Sequence, residues 1–302
     1  MNIYIRSIIK ILSTTLLIAT VTFFLLYLIP GSPFSNDKSL PPEVFKNLES
    51  KYNLDKPVYV QYFAYVNNLI HGYLGPSLKY TNRSVNEIIG QSFPVSFFLG
   101  ALALLISVPL GILLGIFAAV KNNSFIGKVI SILMTMFISV PNFLIAAVLI
   151  NVFALRFKLF PVALFESPMH IVLPVITLSF LPTAYIARIT RAKVLEQLKE
   201  EYVMILLAKG LHFKDILFKH ALKNSLISII TVLGPIIAIL ITGSFVVEFI
   251  FAIPGMGRHF VYGFINRDYF LICGITIVFS LILTSLNIIT DFMYRKIDPR
   301  LG

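Results

Sequence analysis

Few residues in this sequence are arranged to make or break covalent bonds. The five histidines, His71, His170, His212, His220 and His259, are scattered without metal-ligand spacing. No serine is patterned with a base and an orienting acid. No Gly-x-x-x-x-Gly-Lys-Ser/Thr run provides a phosphate cradle. The residues that could do work would do it through charge and shape. Arg188 to Asn224 carries eight Lys/Arg, and long apolar runs flank it on both sides. At its centre, Ala208-Lys209-Gly210-Leu211 follows a helical register through Tyr202, Val203, Leu206 and Leu207. Gly210 breaks that register at little steric cost. A second helix is expected over Phe213 to Lys223, carrying Lys214, Lys219, His220 and Lys223. A glycine there allows a tight bend and close backbone approach. Such a loop is suited to a soluble partner that drives the chain from outside. A solvated basic face, or contact with anionic lipid, accounts for the same charges without a partner.

A second candidate lies further on. Glu248 is an acidic residue beside an apolar run, six positions before Pro254. An ionisable group at membrane depth is a functional candidate by default. Pairing with Arg258 or Arg267, snorkelling to the interface, a gate latch and contact with a substrate amine are the readings open at this point.

These residues need elements to hold them, and composition defines the class. Of the 302 residues, 57% are hydrophobic and only 13% charged, too little charge for a soluble domain of this size. The net charge of +11 does not gather on one basic face apart from the apolar runs, so nucleic acid is not the expected partner. Six charge-free stretches reach or approach the roughly 20 residues that cross a bilayer. They are Ile11–Ile29, Ser92–Val120, Val129–Leu155, Ile171–Ala187, Ser225–Val247 and Tyr269–Thr290. The first is read as an uncleaved anchor, because no small-x-small cleavage site follows it. With both termini inside, Arg6, Lys10, Lys121, Lys128, the eight cations of the basic stretch, Arg295, Lys296 and Arg300 fall on the cytoplasmic side. The fold expected is an all-α integral membrane protein with six transmembrane helices, N-in and C-in. Its parts are a first helix (1–30), an extracytoplasmic segment (31–91) and a five-helix core (92–302) with a cytoplasmic loop (188–224). Gly111 and Gly115 form a GxxxG packing face. The single cysteine, Cys273, lies in an apolar run and reads as a small packing residue.

The outer segment carries two short amphipathic patterns. One starts near Leu40-Pro41-Pro42-Glu43 and places Phe45, Leu48 and Tyr52 on one face. The other follows Pro57, with Tyr62, Phe63, Val66, Leu69 and Ile70, and stops at His71-Gly72. A cap packed on the spans and a docking surface for an external protein both fit.

Several short runs now point to one family. Glu201-Tyr202-Val203, Ala208-Lys209-Gly210-Leu211 and Lys219-His220-Ala221-Leu222-Lys223-Asn224 resemble the cytoplasmic loop of ABC-importer permeases of the peptide group. Pro30-Gly31-Ser32-Pro33-Phe34, Gly75-Pro76-Ser77, Ser92-Phe93-Pro94-Val95-Ser96, Ile253-Pro254-Gly255-Met256-Gly257, Asn266-Arg267-Asp268-Tyr269 and Ile297-Asp298-Pro299 resemble the B-type subunit of bacterial oligopeptide permeases. The resemblance covers nearly the whole chain. It implies a coupling helix seated in a groove on a cytoplasmic ATPase, with Glu201, Tyr202, Ala208, Lys209, Gly210, Leu211, Lys219 and His220 as the coupling residues. It also implies a C-type permease partner, two ATPase subunits holding ATP and Mg, an extracytoplasmic peptide-binding protein, surrounding lipid and an oligopeptide substrate, with no cofactor in this chain. One departure stands out. The family's Glu-Ala-Ala, six to four residues before the glycine, is replaced by Met204-Ile205-Leu206.

The expected function is therefore a permease half, not an enzyme, in the bacterial cytoplasmic membrane. Glu248, Arg258 and Arg267 are candidates for a gate or substrate pathway. Dipeptide, glutathione and nickel permeases are the rivals within the family. An ion-coupled secondary transporter would be expected to show buried carboxylates or broken-helix repeats in both halves. The sequence offers one marginal glutamate and no such repeat.

Overall fold

The computed structural model describes residues 3–28, 42–80 and 82–297. Pro30 to Phe34, the Leu40-Pro41 helix start and Asp298-Pro299 lie outside the described residues. Among the described residues the chain is all helix and connection, apart from one isolated antiparallel bridge between Pro76 and Ser84.

Helix α1 (Ile3–Tyr27) is followed by the two short helices expected outside the spans, α2 (Pro42–Lys51) and α3 (Val58–Ile70). The longest helix, α4 (Val85–Val120), begins at a capping box. The Ser84 hydroxyl accepts from the Glu87 amide at 3.2 Å, and the Glu87 carboxylate accepts from the Ser84 amide at 3.2 Å. Its 36 residues span about 54 Å at 1.5 Å each, longer than the hydrocarbon core. α5 (Phe125–Ser139) starts on a Ser124 cap, and α6 (Asn142–Leu149) continues into a π-helical stretch, Ile150–Arg156. Then come α7 (Met169–Gln197), α8 (Glu201–Ala208) and α9 (Phe213–Asp215). A second π-helical stretch, Ile216–Ala221, leads into α10 (Leu222–Ile241), and α11 (Phe245–Ile250), α12 (Met256–Asn266) and α13 (Tyr269–Ile297) complete the chain.

Among the described residues, five stretches are by themselves long and apolar enough to cross a membrane: Ile5–Tyr27, Val85–Val120, Met169–Gln197, Ser228–Ile250 and Tyr269–Thr290. The expected third span, Val129–Leu155, falls on a helix pair that is long and apolar enough only when taken together, making a sixth span if the pair crosses as one. α5 and α6 bend by 105° at their junction. Pro141 lacks an amide and holds Val140 in extended backbone with ψ of 124°.

α4 and α7 form the central pair and run in the same direction. Gly111 sits against Thr183 and Ile186, and Gly115 against Ala187 and Thr190. The GxxxG face therefore packs within the chain, and its partner is α7. α10 crosses α4 where Gly100 meets the backbone of Leu240 and Ile241. A shared core joins Leu99, Ala103, Leu149, Leu173, Phe251 and Ile253. At one end, α3 packs on α1 and α13 through Ala19, Tyr65, Ile272 and Cys273, so this segment covers those helices, and Cys273 is a buried packing residue. At the other end, Ile116 and Ala119 of α4 pack on Val194 and Leu217. Apolar side chains such as Leu12, Leu17, Leu105 and Leu113 face outward, as suits lipid as the surrounding solvent.

Candidate functional site

The basic stretch keeps the expected helices on both sides of Gly210 but joins them more closely to the spans. α7 continues through Arg188 and Arg191 to Gln197. The second helix over Phe213 to Lys223 is not separate. Asp215, Ile216, Ala221 and Leu222 keep right-handed helical dihedrals, so α9, the π-helical stretch and α10 form one continuous path. The free connection shrinks to residues 198–212. The physical reason is packing: Val194, Leu198, Leu217 and Leu222 all join the cluster at the end of α4, which draws both flanks into the bundle.

Within that connection, α8 projects outward. Glu201 lies exposed in its first turn. Val203 is the buried anchor of the helix. Ala208, Lys209 and Gly210 are exposed, and Leu211 is half-buried. Gly210 has φ of +82° and open space around its α-carbon, so its role is the left-handed turn that ends α8. The Leu211 amide donates to Leu206 at 3.2 Å and that of Gly210 to Leu207 at 2.9 Å, closing the helix end. The Met204-Ile205-Leu206 substitution leaves Met204 and Ile205 exposed, with Leu207 exposed beside them.

Lys219 pairs with Asp215 at 2.7 Å, one helical turn away, and this contact holds the Asp215 carboxyl below its usual range. Lys219 is therefore partly neutralised on its own helix, while His220 is half-buried beside it. Three further contacts tie the region to the spans. Arg191 donates to Asn122 at 2.7 Å, bridging α7 to the α4–α5 turn. Tyr202 and Asn224 each donate to Gln197 Oε1 at 3.1 Å. Burial holds the Tyr202 phenol above its usual value, with the Asn224 amide opposing the shift. Gln197 and Asn122 carried no signal in the sequence, because their partners lie 27 and 69 residues away.

Glu248 is fully buried in α11, so it does not snorkel. Its Oε2 accepts from the amides of Gly257 at 2.8 Å and Arg258 at 3.4 Å, at the start of α12. The Arg258 guanidinium turns elsewhere, donating to the Ala252 carbonyl at 2.8 Å and lying over the Tyr262 ring at 5.3 Å. The expected Glu248–Arg258 side-chain pair is therefore replaced by a carboxylate on a helix N-terminus, where backbone N–H groups favour negative charge. Ser96 of α4 completes the joint by accepting from the Met256 amide at 2.8 Å. A Cβ at Gly243 or Gly255 would fall 2.2 or 2.3 Å from the Glu248 oxygens, so both glycines are needed for the carboxylate to fit. Gly243 also has φ of +94° at the break between α10 and α11. Arg267 caps the far end of α12 in the left-handed region. The structure thus places Glu248 and the Arg258 backbone together and puts Arg267 at the opposite end of the helix.

Asp268, next in sequence, is fully buried. It accepts from the Ser77 hydroxyl and, at 3.2 Å, from the Leu271 amide, pinning the Gly75-Pro76-Ser77 loop to α13. Burial raises its carboxyl above the usual range, against the pull of these donors. A cavity of about 710 Å³ lies between α7, α10 and α11, lined by Leu178, Tyr185, Pro235, Ile239, Ser244 and Phe279 among others.

Residues 111–302 match the family of binding-protein-dependent transport system inner membrane components, and residues 1–100 match the N-terminal region of such components. The chain belongs to this family. The dipeptide transport system permease protein DppB of Bacillus subtilis is 45% identical over 96% of this chain and 94% of its own length. The oligopeptide transport system permease protein OppB of Haemophilus influenzae is 40% identical over 98% of this chain and 97% of its own. Among solved structures, the inward-facing MetNI methionine ABC transporter superposes with a TM-score of 0.54 at 16% identity. That match covers 70% of this chain and 95% of that one, and it speaks to the fold. As an inner-membrane transport component, the chain works in a membrane and is not itself an enzyme.

Proposed function

We propose that this chain is one permease subunit of an ATP-driven, binding-protein-dependent importer of oligopeptides. The observation that carries the reading is α8. It is an exposed helix ended by Gly210, standing off the bundle and tied by hydrogen bonds to the helices on either side. ATP and Mg would reside on two separate ATPase subunits that receive α8. A C-type permease would complete the pathway, and a soluble binding protein would deliver peptide to the opposite end. Glu201, Ala208, Lys209, Gly210 and Leu211 would meet the ATPase. Tyr202, Lys219 and His220 would hold the geometry from behind. The exposed Met204, Ile205 and Leu207 add apolar contact area there.

Six crossings with both termini inside fit this arrangement. α4 and α7 run parallel, so the chain between them must return. Asn122 is bonded near the α8 end, and the Leu164 amide donates to Phe251 near the opposite end at 2.9 Å. The bent α5–α6 pair would then be the return span. The cavity beside α10 and α11 would form part of the pathway, and the Glu248–Ser96 joint would hold its outer gate. The largely apolar lining suits substrates of varied side chain.

A second reading, dipeptides, is favoured by the higher identity to the Bacillus subtilis protein. Uptake of labelled tripeptides, tetrapeptides and dipeptides into proteoliposomes holding the full complex separates the two. The primary reading expects tri- and tetrapeptide uptake that Gly210→Asp abolishes without loss of membrane insertion. Uptake of dipeptides alone selects the second reading. Full uptake by the Gly210→Asp variant removes the role given to α8.

A further inference from the structure

Force applied to α8 has few routes into the membrane. Its covalent link to α7 is a short turn, residues 198–200, and Val203 is its one buried side chain. The link toward α10 passes through the left-handed Gly210 and the extended His212, a path that bends readily. A further connection is centred on one carbonyl, whose two donors, Tyr202 and Asn224, also interact with each other. Gln197 Oε1, at the last turn of α7, accepts both the Tyr202 hydroxyl of α8 and the Asn224 amide of α10, each at 3.1 Å. An amide carbonyl has two lone pairs, so both are used. Three helices that the chain separates by up to 27 residues therefore meet on one oxygen.

We infer that Gln197 is the positioning residue through which motion of α8 reaches α7 and α10 together. This rests on α8 being the ATPase-facing element. Without the Gln197 carbonyl, α8 would lose its side-chain tie to α7 and keep only the Tyr202–Asn224 contact toward α10, so much of a push from outside would be spent in a pivot on Val203 and the 198–200 turn. With the clasp closed, α8 and the ends of both long helices move as one body. α7 packs on α4 through Gly111 and Gly115, so the displacement spreads to the central pair.

The geometry dictates an unusual substitution pattern. The clasp needs an acceptor at 197 and makes no use of the side-chain nitrogen. Gln197→Glu keeps two lone pairs in the same place and should preserve function. Gln197→Met has nearly the same length and no comparable acceptor, and should fail. The experiment uses the full complex in proteoliposomes, with the binding protein and a labelled peptide. It reads basal ATP hydrolysis, its stimulation by loaded binding protein, and peptide uptake. Expected for Gln197→Met is a fall in stimulation on the order of tenfold, comparable to losing two partly exposed hydrogen bonds. Basal hydrolysis and complex yield should stay within about twofold of wild type on the same argument. Tyr202→Phe should fall partway, and adding it to Gln197→Met should cost nothing more.

Wild-type stimulation in Gln197→Met overturns the inference. So does a Gln197→Glu variant as impaired as the Met one, or a loss of stimulation that only tracks loss of assembled complex. Gly210→Asp, run alongside, keeps the two readings apart. If it is inactive while Gln197→Met is normal, only the clasp fails. If both are normal, the role of α8 itself fails.

Discussion

Replacing Gly100 by alanine should separate two helices, and the structure sets the size of the effect. The added Cβ would sit 2.1 Å from the Leu240 carbonyl oxygen, 2.4 Å from its carbon and 2.8 Å from the Ile241 nitrogen. All three are backbone atoms, and ordinary contact begins near 3.4 Å. No rotamer change relieves the overlap, so α10 must back away from α4 by about an ångström. Overpacking against a rigid wall costs about 3 kcal/mol. Alanine returns about 1 kcal/mol in helix propensity, leaving a net loss of about 2 kcal/mol by these two estimates. Gly90 is the internal control. It lies on the same helix, and nothing stands within 4 Å of its would-be Cβ. Gly90→Ala should gain about 0.5–1 kcal/mol from propensity alone. Reversible unfolding of the purified protein in mixed micelles, by denaturant titration, measures both. Gly100→Ala should unfold first and Gly90→Ala last, with wild type between. If the two variants have equal midpoints, the close approach of α4 and α10 is wrong.

Two further outcomes follow from the buried polar joints. Ser96→Ala leaves the Met256 amide without its 2.8 Å acceptor, which should cost about 1–3 kcal/mol in the same titration; an unchanged midpoint would show that the joint at α12 is loose. Asp268→Asn should flatten stability against pH on the acid side. Burial raises the folded carboxyl above its ordinary 3.8. Its stabilising contribution is therefore fully present below that value and is lost as pH rises through the raised folded one. A wild-type-like pH profile in the variant would place the titration elsewhere.

The sequence by itself determined the class, most of the spans and the centre of the α8 loop. Runs of apolar residues too long for a soluble core can only be satisfied in lipid. A glycine after a helical register in a short basic stretch is a ready place for a helix to end. The short helices α2 and α3 were equally legible, because their amphipathic periods and prolines are local signals. Packing decided the rest. Helix over 188–193 and 213–223 was legible; the packing of Val194 and Leu217 on the end of α4, and the unbroken path from α9 into α10, were not. Pro141 permits the break, and the 105° bend is held with α5 and α6 each packed on α7. Glu248 read as an ion-pair partner because charge is visible in a sequence. Its actual partners include backbone amides, which every residue but proline carries and no sequence pattern displays. Gln197 was silent for the same reason. A carbonyl oxygen becomes a joint between three helices only when folding brings distant donors to it.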